Sequence, residues 1–132
     1  MALAAAACLV ARGAPWWSVR IGSDEIPTVP VGGGLAWPGT VCLIAGVCLL
    51  FGAVVEVTTT LPGGPPAWVG RGALGIGSLV GIAAALSLIL PHQILGLSRD
   101  VAAIGPAIGP FLALAGAGCA IVAGRGIIRS CA

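Results

Sequence analysis

Lysine is absent from this chain, and charge of either sign is scarce. Six arginines and four acids make up 8% of 132 residues, against 58% hydrophobic. A soluble domain carries roughly 25% charged side chains, and one of this size leaves about a third of its unfolded-chain area exposed to water. So few charges cannot keep such a surface hydrated, which excludes a water-facing globule and makes lipid the fitting solvent. The same scatter of arginines, with a net charge of +2, forms no basic footprint for nucleic acid.

Reactive groups are equally sparse. There is one histidine, His92, with no carboxylates or thiolates converging on it, so it reads as an interfacial imidazole and not a metal ligand. The five cysteines, Cys8, Cys42, Cys48, Cys119 and Cys131, are odd in number and show neither a disulfide framework nor zinc spacing. They read as small hydrophobes in apolar surroundings. The glycine-rich stretch from Gly70 to Gly77 lacks the Lys-Ser/Thr pair of a phosphate loop and opens an apolar run. An active site needs a nucleophile or metal with a positioned base. Here the acids and the single histidine fall in different segments, so no catalytic, cofactor-binding or metal-ligating residue is assigned and no enzyme or cofactor is expected.

What the sequence does contain is long apolar runs. Gly72 to Leu90 is free of charge and bounded by Arg71 and by Pro91 with His92; at ~1.5 Å per residue it matches the roughly 30 Å of a bilayer core. A second run from about Gly39 ends where Glu56 and the threonines Thr58, Thr59 and Thr60 return the chain to a polar setting, placing Glu56 at the interface. A third covers about Val101 to Gly124, with Pro106 and Pro110 suited to a first helical turn and Val101 to Gly105 forming an entry segment. The N-terminal run from Ala2 to Ala11 reaches only about half the bilayer core unless it continues past Arg12, which can snorkel, to Trp16 and Trp17. It has no basic residue ahead of it and so does not read as a signal peptide. The natural start is expected a few residues upstream.

The fold class expected is therefore all-α, a polytopic transmembrane bundle forming one membrane domain over 1–132. Its spans fall at about 2–19, 39–57, 72–90 and 104–124, with an outer loop over 20–38. Within that loop Ile26, Val29 and Val31 offer at most one short strand. The segments from Val57 to Arg71 and from Pro91 to about Asp100 read as shorter connections. All four tryptophans, Trp16, Trp17, Trp37 and Trp68, lie at span ends, the pattern of an aromatic belt.

Arginines divide evenly between the two sides: Arg71, Arg125 and Arg129 against Arg12, Arg20 and Arg99. The second set sits beside Asp24, Glu25 and Asp100, so the first is taken as cytoplasmic, which puts the C-terminus in the cytoplasm of a plasma-membrane protein. Arg99 and Asp100 read as a local surface pair.

Small residues recur at a four-residue interval in the third span, Ala73, Gly77, Gly81 and Ala85, and in the fourth, Gly105, Gly109, Ala113 and Ala117. Residues four apart share a helix face, so each set offers a smooth stripe for close approach of another helix, in this chain, in a second copy or in another membrane protein. The partners expected are thus the lipid bilayer and other helices. Ser78 and Ser87 can satisfy their hydroxyls on their own helix backbone. Glu56, the one acid near a span, is the default residue for ion or proton handling, although a transporter normally buries several polar groups near its midplane.

The short alanine-rich first helix ending in ARGAPWWSV, the loop leading through GGGLAWPG into the second span and the final GPFLALAGAGCAIVAG helix with its arginine-bearing tail resemble the small four-helix membrane proteins of actinobacteria. In particular they look like the tryptophan-operon-associated conserved membrane protein family. The first helix and the whole chain are shorter than in that family. The resemblance implies a four-helix membrane fold and carries over no catalytic residue. The function expected is that of a non-enzymatic accessory or scaffold subunit, or a small homo-oligomer; the alternative is a small transporter or channel component.

Overall fold

The structure, a computed structural model, describes residues 1–21, 29–32, 37–59, 64–96 and 102–131. Three helices of 23 residues each are long and apolar enough to cross a membrane: α2 (Trp37–Thr59), α3 (Ala67–Ile89) and α5 (Ile108–Ser130). A shorter apolar helix, α1 (Ala2–Gly13), precedes them, and a five-residue helix, α4 (Pro91–Leu95), follows α3. The protein is therefore mostly helical. It is not purely so, because β1 (Pro15–Ile21) lies between β2 (Val29–Gly32) and β3 (Ala102–Pro106) in a three-stranded sheet, antiparallel on both sides.

The ends of the elements depart from the expected spans for local reasons. The first helix stops at Gly13 and not near residue 19, since Pro15 pushes Ala14 to extended angles of φ −75 and ψ 153. The chain then leaves as a strand. The stretch from Pro91 is partly helical, with Pro91 at the first position of α4 and Gly96 closing it in the left-handed conformation. The expected entry segment before the last span is β3, paired with β1 from Trp17↔Pro106 to Ile21↔Ala102. The last helix begins at Ile108, four residues later than expected. It continues six residues past Gly124 because Ile127 and Ile128 pack over Gly70 of α3. At the far end of α2 the hydroxyls of Thr58 and Thr59 donate to Val54 O (2.9 Å) and Val55 O (2.6 Å), which keeps both threonines helical. Of the outer loop, Val29 and Val31 lie in β2, whereas Ile26 lies outside the described residues, as do Arg99 and Asp100.

The helices alternate in direction. One end of the bundle gathers the sheet, the C-termini of α1 and α3 and the N-termini of α2 and α5. The opposite end holds Glu56, Arg71, Arg125 and Arg129. The most extensive interface is that of α3 with α5, and α1 wedges between α2 and α5. With 12 residues, α1 extends only about 18 Å. Its Met1 side chain reaches Gly52, about two turns short of the α2 C-terminus.

Candidate functional site

Two adjacent tryptophans tie the sheet to the helices, and prolines explain why. In a helix the carbonyl of residue i accepts from the N–H of residue i+4, and proline has no N–H to give. Pro15 therefore orphans the carbonyl of Ala11, and Pro91 orphans that of Ser87. Trp16 Nε1 donates to Ala11 O at 2.6 Å, and Trp17 Nε1 donates to Ser87 O at 3.1 Å. Both indoles are fully buried, with centroids 6.0 Å apart and planes tilted by 53°. An exposed belt position for this pair is thereby corrected: their N–H groups are needed inside, where an unmet carbonyl would cost about 1–3 kcal/mol. Trp37 and Trp68, in contrast, are largely exposed. Gly109 makes room for the Trp16 ring, since a Cβ there would lie 2.7 Å from its Nε1.

The helix seams are of two kinds. Along α3 and α5 the backbones touch: a Cβ on Gly70 would meet Gly124 O at 2.8 Å, one on Gly124 would meet Gly70 O at 2.6 Å, and one on Gly77 would meet Ala117 O at 2.9 Å. Gly77 and Ala117 of the two expected stripes are thus used within the chain, pairing with each other. Gly81 only touches Ala117, and Ala85 is half-buried. Gly105 lies in β3, against Ser18. The seams of α1 are similar, with Gly46 of α2 receiving Leu9 and Gly116 of α5 receiving Cys8 and Ala7. The tight approaches at Gly70 and Gly124 belong to the same seam and share its face, each lying seven residues from Gly77 or Ala117, where a strict four-residue interval does not land.

Along α2 and α3 the seam is open. Val47, Phe51 and Gly52 face Trp68, Gly72 and Ile76 across an apolar cavity of about 430 Å³. A second cavity of about 210 Å³ continues it between Ile44 and Leu79, and a third of about 320 Å³ lies between Trp37 and Gln93 near the sheet end. A separate groove of about 520 Å³ runs between α1 and α5, from Leu3 and Ala4 to Gly118 and Val122.

The singled-out polar residues do not meet. Glu56 is half-buried on the face of α2 that also carries Leu49, Gly52 and Ala53. His92 sits in α4 near the opposite end. Ser78 and Ser87 donate to Leu74 O and Ala83 O of their own helix. Cys8 and Cys42 are buried, and Cys48, Cys119 and Cys131 are exposed. Among the described residues no three of His, Cys, Asp and Glu gather where a metal ion could be held. The glycine-rich stretch from Gly70 to Gly77 is a regular part of α3 and not a loop. Matched against family models, curated proteins and solved structures, the chain resembles none of them closely enough to count.

Proposed function

We propose that the chain is a multi-pass plasma-membrane protein with a cytoplasmic C-terminus, non-enzymatic, that works as an accessory or scaffold subunit or a small homo-oligomer. The observation that carries this reading is the outward face of its helices. Ile44, Phe51, Leu79, Ile82, Phe111 and Val122 are each more than half exposed, which suits acyl chains or other helices and not water. After the α3–α5 seam has taken Gly70, Gly77 and Gly124, two glycines of α5, Gly118 and Gly126, still face open space. Gly118 lines the groove beside α1, where another helix can approach closely. The sequence resemblance to small four-helix membrane proteins supports the same reading.

The test is native mass spectrometry and crosslinking in mild detergent. An oligomer or a copurifying membrane protein is expected, and Gly118→Leu, whose Cβ meets open space in that groove, should reduce it while leaving helicity unchanged. A strictly monomeric species at native abundance, with no partner, would refute the reading.

A transporter or channel component is the second reading, favoured by Glu56 facing inward on α2 beyond the end of α1. Flux in proteoliposomes that is unchanged in Glu56→Gln would remove its support.

A further inference from the structure

We infer that Arg71, Arg125 and Arg129 together hold the phosphate of one anionic phospholipid on the outer side of the α3–α5 seam. The inference rests on the membrane reading above and assigns a site within it. Helix geometry brings the three arginines together. At the seam the backbones touch, with a Cβ on Gly70 meeting Gly124 O at 2.8 Å and one on Gly124 meeting Gly70 O at 2.6 Å. Arg71 follows Gly70 and Arg125 follows Gly124, so each stands about 100° round its helix from the contact. Because α3 and α5 run in opposite directions, the two rotations carry both arginines to the same side of the seam. Val80 of α3 and Gly116 of α5 are turned the other way, toward α2 and α1, so the arginine side is the outer one. Arg71, Arg125 and Arg129 are all exposed there. Along the bundle axis they are close as well. With Gly70 opposite Gly124, Arg129 stands five residues outward of the contact and Arg71 one residue inward, a span of about 9 Å at ~1.5 Å per residue, and Arg125 falls between them.

Side chains lean toward the N-terminus of their helix. Since α3 starts at this end and α5 ends here, Arg71 leans outward and Arg129 inward, and their guanidinium groups converge on the level of Arg125. No carboxylate side chain offsets them: neither α3 nor α5 has an acid along its length, and Glu56 rises from α2, on the other side of α3. None of the three makes a hydrogen bond or ion pair with a described residue. Three like charges this close repel, and the contact between Gly70 and Gly124 keeps the two helices from moving apart. An anion among them relieves the repulsion, and a phosphate diester accepts from guanidinium groups in a bidentate manner. Inward from the arginines the same face turns apolar and exposed, with Ile82 on α3, Leu114 on α5 and open space at Gly75. The acyl chains of the same molecule can lie there, which favours a lipid over free phosphate. Trp68, one turn before Arg71 and 59% exposed, marks this level as headgroup depth.

The experiment uses the purified full chain in detergent, titrated with phosphatidylglycerol or phosphatidylcholine and read by native mass spectrometry. The wild type is expected to retain phosphatidylglycerol in preference. Arg71→Gln, Arg125→Gln and Arg129→Gln should each cut that preference roughly fivefold with helical circular dichroism unchanged. Arg12→Gln, which removes an exposed arginine at the opposite end of the bundle, should leave it intact. Equal binding of the two lipids by the wild type, an unchanged preference in any of the three variants, or a loss in Arg12→Gln as large as theirs would overturn the site. Inorganic phosphate in excess should fail to displace the bound lipid; displacement would assign the arginines to a free anion and overturn the lipid. A chain that is monodisperse without any amphiphile would overturn the membrane reading itself, whereas a detergent-dependent chain with no preference overturns the lipid site alone.

Discussion

Replacing Trp17 by phenylalanine tests whether a side chain from the sheet completes the backbone hydrogen bonding of α3. Ser87 is wholly buried, and its carbonyl has no helical donor because residue 91 is proline; Trp17 Nε1 fills that role from 3.1 Å. In Trp17→Phe the carbonyl is left without a partner, which costs about 1–3 kcal/mol. The smaller ring also leaves a cavity whose cost is of similar order, so the expected total is about 2–4 kcal/mol. The two contributions separate in a second background. Pro91→Ala restores an N–H four residues after Ser87 and frees Leu90, now at φ −122 and ψ 45, to return to helical angles. In that background only the cavity cost remains, and Trp17→Phe should be cheaper by at least about 1 kcal/mol. Reversible unfolding in mixed micelles, followed by helical circular dichroism, gives all four corners of the cycle. Costs equal in the two backgrounds to within about 0.5 kcal/mol, the range of simple additivity, would refute the capping argument.

Two further outcomes follow from burial and close approach. Gly124→Ala forces a Cβ to within 2.6 Å of Gly70 O, and backbone cannot rotate aside; overpacking of about 1–3 kcal/mol outweighs the roughly 1 kcal/mol that alanine gains over glycine in a helix. Gly126→Ala, facing open space on the same helix, should instead be neutral or stabilising by up to about 1 kcal/mol in the same unfolding assay; the reverse order would count against the seam. Among the cysteines, Cys8 and Cys42 should resist maleimide in the folded protein, and a charged maleimide should reach exposed Cys131 from one membrane side only, the cytoplasmic side in the orientation proposed. Labelling of Cys131 solely from the opposite side would invert the topology.

Much of the helical framework can be read directly from residue order. Uncharged runs such as Gly72 to Leu90 announce a span through length and hydropathy, which are sums over neighbours and need no knowledge of the fold. The four-residue spacing around Gly77 likewise marks a surface fit for helix packing, because periodicity follows from helix geometry alone. Function was far less legible. Glu56 and His92 could be singled out by residue type, but whether they share a site depends on distances that residue order does not contain. The structure places them toward opposite ends of the bundle. A signal for the tryptophan caps was present, in prolines four residues after Ala11 and Ser87, yet it states only that two carbonyls lack donors and not which groups supply them.

By itself, then, the sequence determined that there would be long apolar helices, roughly where they run, and that small residues would line some of their faces. Tertiary structure alone decided which partner each face meets. Gly70 finds Gly124, and Trp17 finds a carbonyl 70 residues away. It also decided that Trp16 and Trp17 turn inward and that α2 and α3 stand apart while α3 and α5 close up. The physical reason is that hydropathy and periodicity are local properties of a chain, whereas satisfying a buried carbonyl or letting two backbones touch depends on groups brought together only when the chain has packed.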